Sequence, residues 1–124
     1  MPTVLYVEDD PEHRAMVQMI FEHQNVTLVE AVDGQDAIRK VKEEPPDVIL
    51  LDLFMPKLDG FGVMRVLQAD PLTRHIPIIV LSAWPTGDNR QRAKQAGAAD
   101  FIAKPYEPRL LVEVINKHLH MFAK

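Results

Sequence analysis

The feature that most constrains the fold is a series of five short apolar runs that alternate along the chain with amphipathic stretches. The strongest run is Asp47-Val48-Ile49-Leu50-Leu51-Asp52, in which no polar residue interrupts the apolar ones. A strand covered on both faces lacks the alternation of a half-exposed strand. We therefore predict that residues 47–52 form the central strand of a parallel sheet.

The other runs complete a regular βα pattern. The run that ends at Val7 stops at three acidic residues, and Pro11 suits the first turn of the following helix, with Asp10 as its N-cap. The fourth helix is polar and has no large apolar residue, so only the order of elements predicts it. Five strands alternating with five helices indicate an α/β three-layer sandwich with a five-stranded parallel sheet. Strands are predicted at 4–7, 26–31, 47–52, 76–82 and 99–103, and helices at about 11–23, 34–44, 60–70, 88–96 and 107–119.

The helical spacing of apolar residues predicts which side chains face the core. The histidines show no ligand spacing tied to the acidic residues, so we expect them at the surface. The predicted inward residues are Met16, Met19, Ile20 and Phe21 in the first helix, Ala37, Ile38 and Val41 in the second, Phe61, Met64, Val66 and Leu67 in the third, and Leu110, Leu111, Val114, Ile115 and Leu119 in the last. The histidines expected at the surface are His13, His23, His75, His118 and His120.

Composition excludes several classes of function. The chain has no cysteine, which excludes disulfide scaffolds, thiolate metal sites and cysteine nucleophiles. A formal charge of −4 disfavours broad attraction to nucleic acid or to an anionic membrane. Neither a long apolar run nor a leader segment is visible, and no linker divides residues 1–124. We expect a single domain in a soluble, unprocessed cytoplasmic protein.

Polar residues follow four of the five predicted strands, at the edge where ligands bind in open α/β sheets. Alone, each has an ordinary structural explanation: Asp10 caps a helix, Ser82 starts a loop and Lys104 is a solvated end. These separate explanations do not account for the fact that all of these residues lie at the same edge of the sheet. The polar residues are Glu8, Asp9 and Asp10 after the first strand, Asp52 at the end of the third, Ser82 at the end of the fourth and Lys104 after the fifth.

This set of residues points to phosphoryl chemistry. Neighbouring carboxylates repel one another by roughly 4 kcal/mol per close pair at an effective dielectric near 20. Something must therefore relieve this repulsion. An all-oxygen site without histidine or cysteine suits Mg²⁺. A divalent cation beside Lys104 and a hydroxyl is equipped to neutralise a phosphoryl group. Because no partnered base is evident, the nucleophile would be a carboxylate.

The joint pattern closely resembles the receiver domain of two-component response regulators, and the resemblance covers essentially the whole chain. It implies a flavodoxin-like sheet of order 2-1-3-4-5. It also implies that Asp52 accepts a phosphoryl group from a histidine of a sensor histidine kinase or histidine phosphotransfer protein. The motifs are Glu8-Asp9-Asp10, Asp52-Leu53-Phe54-Met55-Pro56, Asp59-Gly60, Ser82-Ala83 and Lys104-Pro105.

The same resemblance assigns roles around the acceptor. Asp9 would bind Mg²⁺ together with Asp52 and the backbone carbonyl of Phe54. Either Glu8 or Asp10 would be the acidic partner of Asp9, since three acids in a row leave the register open. Ser82 and Lys104 would contact phosphoryl oxygens, and the Lys104–Pro105 peptide bond would be cis.

Signalling in the family couples a hydroxyl residue to an aromatic residue, here Ser82 and Phe101. The family often has tyrosine at the second position, and phenylalanine cannot offer a hydroxyl to a partner. A downstream target protein would bind the face formed by the fourth helix, fifth strand and fifth helix. We expect a monomer or weak dimer that contacts neither nucleic acid nor membrane.

Three alternatives compete. A haloacid-dehalogenase-like phosphatase needs a second aspartate two positions after the nucleophile, where this chain has Phe54. A flavodoxin-like flavin carrier needs a phosphate loop after the first strand, where Glu8, Asp9 and Asp10 would repel the flavin phosphate. A degenerate receiver would act as a phosphorylation-independent protein-binding module. This interpretation is disfavoured by the intact site residues Asp9, Asp52, Ser82 and Lys104.

Overall fold

Five parallel strands form one sheet in the computed structural model, which describes residues 1–54 and 59–120. The sheet has the order β2-β1-β3-β4-β5, so β3 is its central strand, as predicted. Met55 and Pro56, two residues of the sequence motif, lie outside the described residues. The strands are β1 (Thr3–Val7), β2 (Thr27–Ala31), β3 (Val48–Asp52), β4 (Ile78–Ser82) and β5 (Asp100–Ala103). The helices are α1 (Pro11–Phe21), α2 (Gly34–Glu43), α3 (Gly60–Ala69), α4 (Gly87–Gln95) and α5 (Pro108–His120).

The sheet separates two apolar clusters, one on each face. Every residue of β3 and β4 is buried, which explains why the sequences of these strands carry no polar alternation. One cluster includes Leu51, Val80 and Ala93, with Phe101 packed against it. The other includes Tyr6 of β1, together with residues of α1 and α5. Burial of one large apolar side chain contributes about 1.5–3 kcal/mol, so both clusters stabilise the sheet.

Four predicted core residues are exposed instead. Met16 and Met19 are 47% and 72% exposed, because α1 turns Val17 and Phe21 inward. Val17 and Phe21 are four residues apart and therefore share one helix face. The helices contain more apolar residues than the inward stripe accommodates, and those one position away from it face outward. The other two exposed residues are Val66 of α3 and Leu110 of α5.

His118 corrects the prediction that all the histidines lie at the surface. Its side chain is buried between α5 and β5, and its Nε2 lies 3.1 Å from Oδ2 of Asp100. The Asp100 carboxylate is a polar partner for the His118 imidazole, and a buried polar ring needs such a partner. The side chain of His120 lies outside what the structure describes.

The polar helix α4 forms where the order of elements predicted it, and local signals at both ends explain why. The Thr86 hydroxyl accepts a hydrogen bond from the backbone N–H of Asn89, which caps the first turn. Gly97 has φ of +103°, a conformation that favours glycine. The backbone N–H groups of Gly97 and Ala98 return to the carbonyls of Lys94 and Ala93 and close the last turn.

None of the helices in residues 1–54 and 59–120 is long and apolar enough to cross a bilayer.

Gly60 allows α3 to begin directly against the end of β3. A Cβ atom at this position would lie 2.8 Å from the Leu53 Cα and 2.9 Å from the Asp52 carbonyl oxygen. Both are backbone atoms, so no side chain can move aside. The Gly60 N–H also donates a 2.9 Å hydrogen bond to the Leu53 carbonyl. The close approach therefore fixes α3 against the backbone of Asp52.

We predict that Gly60→Ala lowers the free energy of unfolding by about 1–3 kcal/mol, the cost typical of overpacking. The measurement is urea denaturation followed by far-UV circular dichroism. Gly87→Ala is the matched control, because a Cβ atom there meets nothing within 4 Å and alanine favours a helix. Equal losses in the two variants would contradict the steric explanation.

Candidate functional site

Four segments bring their polar side chains to the carboxyl-terminal edge of the sheet, as the sequence predicted. Asp52 ends β3 and Ser82 ends β4, while Glu8 and Lys104 directly follow β1 and β5. The Lys104 Nζ lies 3.1 Å from Glu8 Oε1 and 3.7 Å from Asp52 Oδ2. The Lys104–Pro105 peptide bond is cis, as predicted. This edge therefore holds one partly buried cation, Lys104, between two buried carboxylates, Glu8 and Asp52.

Three carboxylates form a compact acidic cluster, to which Glu8, Asp9 and Asp52 each offer an oxygen within 4.8 Å of the others. Glu8 and Asp52 are buried, whereas Asp9 is exposed. Asp10 has a different task, since its Oδ1 accepts a 2.9 Å hydrogen bond from the Glu12 N–H and caps α1. The structure thus places Glu8, and not Asp10, beside Asp9 and Asp52.

One carboxylate oxygen, Glu8 Oε1, gathers three donors that the sequence analysis did not bring together. The Tyr6 hydroxyl donates to it at 3.1 Å, and His13 Nδ1 and Lys104 Nζ lie at the same distance. The contact between Tyr6 and Glu8 could have been predicted from the sequence, because residues two apart along an extended chain share a face. His13 lies in the first turns of α1 and therefore reaches back to β1. Glu8 is the polar centre of the site.

The charges at the site perturb the two buried carboxyl groups in opposite directions. Burial and the neighbouring Glu8 carboxylate raise the pKa of Asp52 to about 7. Burial also disfavours the charged form of Glu8, but hydrogen bonding with Asp52 and the Lys104 ammonium lower the pKa of Glu8 to about 2. Burial and Glu8 raise the pKa of Asp9 as well. Lys104 thus compensates Glu8 and leaves negative charge in excess around Asp52.

A hard divalent cation fits this excess charge. The cluster offers carboxylate oxygens only, which are the ligands that Mg²⁺ prefers. Phe54 lies at the rim, where its backbone N–H donates to Asp52 Oδ1 at 3.4 Å and its side chain is 41% exposed. The donor set therefore suits Mg²⁺ better than a metal that requires nitrogen or sulfur ligands.

The Ser82 hydroxyl connects the site with α4. It is fully buried, and its Oγ accepts a 3.0 Å hydrogen bond from the Trp84 N–H. The Trp84 carbonyl in turn accepts a 2.9 Å hydrogen bond from the side-chain amide of Asn89 in α4. Phe101 of β5 is half-buried, and the Arg90 guanidinium covers its ring at 4.7 Å from the centroid. Two hydrogen bonds therefore connect Ser82 with the first turn of α4 through Trp84.

A cavity of about 480 Å³ opens beside Lys104, between α1 and the segment that follows β5. The exposed Met16 is part of its wall, so the apolar surface of α1 continues to the site. The cavity is a concave surface beside the Lys104 end of this edge. The lining residues are Tyr6, His13, Met16, Ala83, Lys104, Pro105 and Tyr106.

Comparison with known proteins gives a consistent result. The family model described as response regulator receiver domain matches residues 4–116. The phosphate regulon transcriptional regulatory protein PhoB of Escherichia coli (strain K12) is 37% identical over 113 residues, which are 91% of this chain and 49% of PhoB. The chain thus spans about half the length of the PhoB relatives it matches. Protein PilH of Pseudomonas aeruginosa is 31% identical over 116 residues, which are 94% of this chain and 96% of PilH.

A solved structure with the same fold contains a metal. The receiver domain of sensor histidine kinase PA1611 from Pseudomonas aeruginosa PAO1 superposes with a TM-score of 0.88 at 28% identity. The alignment covers 96% of this chain and 98% of that one. A magnesium ion is coordinated in the active site cleft of that protein. The likeness extends over nearly the whole of both chains.

We predict that Tyr6→Phe lowers the free energy of unfolding by about 1.5–3 kcal/mol, since a buried hydrogen bond to a charged group is lost. The measurement is urea denaturation at neutral pH. Tyr106→Phe is the control, because the Tyr106 hydroxyl makes no hydrogen bond among the described residues. A loss of the same size in the control would show that Glu8 is not the cause.

Proposed function

The chain belongs to the response regulator receiver domain family of two-component systems, and from this premise we propose that Asp52 is its phosphoryl acceptor. In the proposed step, an Asp52 carboxylate oxygen attacks the phosphorus of a phosphohistidine on a histidine kinase or phosphotransfer protein. The P–N bond breaks, and the imidazole nitrogen that leaves retains the electron pair and takes up a proton. The product is an aspartyl phosphate on this chain.

The observation that carries the proposal is the position of Asp52 within the acidic cluster and beside the Lys104 ammonium. The Asp52 carboxylate lies 3.7 Å from the Lys104 ammonium, and only 8% of the surface of Asp52 is exposed. Lys104 can therefore pair with a phosphoryl oxygen without leaving the edge of the sheet. Preorganised charge of this kind stabilises a transition state because it needs no rearrangement during the reaction. The cavity between α1 and Pro105 is lined by Lys104 and lies next to the site, where it could seat part of the phosphodonor protein.

Mg²⁺ would be held by Asp9 and Asp52, with Glu8 as their acidic partner and the Phe54 carbonyl as a further ligand. When bound, the ion neutralises charge on the transferring phosphoryl group. Receiver domains bind Mg²⁺ at this place, and the three clustered carboxylates of this chain match that use. Burial and Glu8 raise the pKa of Asp52, and a bound cation would oppose this shift by favouring the ionised nucleophile.

Phosphorylation would then alter the face formed by α4, β5 and α5, to which a downstream target protein binds. An aspartyl phosphate adds nearly two negative charges and three acceptor oxygens. Ser82 would move toward them, and Phe101 would turn into the space that Ser82 leaves. Phe101 has no hydroxyl, so it would act through its shape alone. The domain would transmit signals and not process a metabolite.

Phosphorylation is tested by incubation with acetyl phosphate and Mg²⁺, followed by intact mass spectrometry. We expect the wild type to gain the mass of one phosphoryl group and Asp52→Asn to gain none, because the amide is not a nucleophile here. Asp47→Asn is the control, since Asp47 precedes β3 and its side chain accepts from the Thr3 N–H at the opposite edge. An unmodified wild type would favour a degenerate receiver that binds partners without phosphorylation.

Metal binding is tested by Mg²⁺ titration followed through the fluorescence of Trp84, the single tryptophan of the chain. We expect Asp9→Asn to weaken Mg²⁺ affinity at least about tenfold, since a charged ligand is lost. Asp10→Asn should bind Mg²⁺ almost as the wild type does, because asparagine also caps a helix well. Comparable weakening in both variants would contradict the separation of their roles.

A further inference from the structure

Helix α4 is attached to the domain in an unusual way. Among its nine residues, all of them described, Ala93 alone is buried. Two arginines on the helix cover aromatic rings of neighbouring elements. The Arg90 guanidinium carbon lies 4.7 Å from the centroid of Phe101, and that of Arg92 lies 4.0 Å from the centroid of Phe61. These cation–π contacts supply lateral attachment that α4 lacks in apolar side chains.

The two rings differ in their surroundings. Phe61 lies in the first turn of α3, is 8% exposed and belongs to the apolar core. Phe101 is only half-buried and lies in β5, at the strand position paired with Val80. Paired residues of parallel strands face the same side, and so do residues two apart on one strand. Phe101 and Ser82 therefore share a sheet face, whereas Phe61 is a buried core residue of α3.

Hydrogen bonds connect Ser82 to the helix position beside Arg90. The Ser82 Oγ accepts from the Trp84 N–H, and the Trp84 carbonyl accepts from the Asn89 amide. The Thr86 N–H also donates to the Trp84 carbonyl, so this carbonyl anchors the capping residue of α4. A displacement of Ser82 thus disturbs the first turn of α4, from which Arg90 reaches over Phe101.

We propose that the Arg90–Phe101 stack is a latch that holds the unphosphorylated domain in its resting conformation. Arg90 is in this sense a positioning residue, which acts on the switch through Phe101. The Arg92–Phe61 stack is a fixed attachment that does not change on phosphorylation. The inference rests on the proposed function, because it assumes that Phe101 moves when Asp52 is modified.

The latch has a measurable consequence. A contact made only in the resting state lowers the apparent affinity for any ligand that selects the other state. Beryllofluoride, a phosphoryl mimic, is such a ligand in the presence of Mg²⁺. Loss of the Arg90 stack should therefore tighten beryllofluoride binding about two- to five-fold, the factor that corresponds to an exposed cation–π pair.

The experiment compares Arg90→Gln with Arg92→Gln, two variants that each remove one stack from the same helix. Beryllofluoride is titrated at saturating Mg²⁺ and followed by Trp84 fluorescence, and the thermal unfolding midpoint of each protein is recorded. We expect Arg90→Gln to bind beryllofluoride more tightly although its midpoint falls. Arg92→Gln should show the lower midpoint with unchanged beryllofluoride affinity. A merely structural role of Arg90 would not produce this separation.

Two outcomes overturn the latch while the proposed function stands. One is an Arg90→Gln affinity equal to that of the wild type, and the other is the same gain in Arg92→Gln. Asp52→Asn serves as the reference for the site itself, and it should not respond to beryllofluoride. A wild type that also fails to respond would overturn the proposed function, and the latch with it.

Discussion

The site depends on the partly buried ion pair between Glu8 and Lys104. Two acidic strand ends meet at the middle of the sheet, and without a cation their repulsion would oppose the packing of β1 against β3. Lys104 crosses from the end of β5 to the Glu8 carboxylate, which also accepts from Tyr6 and contacts His13. A buried ion pair is tolerated only with such additional partners. Asp52 is then left as the carboxylate with charge to be neutralised.

The sequence predicted the architecture well because the order of elements restricts the topology. Uninterrupted apolar runs indicate buried parallel strands, and polar residues at their ends converge for geometric reasons alone. The polar helix α4 was predicted only by its place in the series. Thr86 and Gly97 carried a local signal for its two ends, which the apolar pattern does not contain.

Side-chain partners were harder to predict, since they depend on helix phase and on contacts between distant segments. Met16 and Met19 fit a helical spacing but lie beside the true stripe of Val17 and Phe21. The burial of His118 requires Asp100, 18 residues away in sequence. The arginine stacks on α4 follow from neither spacing nor composition, because exposed arginines are ordinary at a surface.

The sheet lies between two apolar clusters, so residues on its two faces pack with different neighbours. Tyr6 and Tyr106, which line the cavity beside Lys104, pack with the cluster on one side. Phe101 and Ala93, which link the site to α4, pack with the cluster on the other. A substitution in the cavity wall therefore falls on the opposite side of the sheet from the contact between Phe101 and α4. Helix α5 packs on the same side as the cavity wall, so it is the element through which such a substitution would be felt.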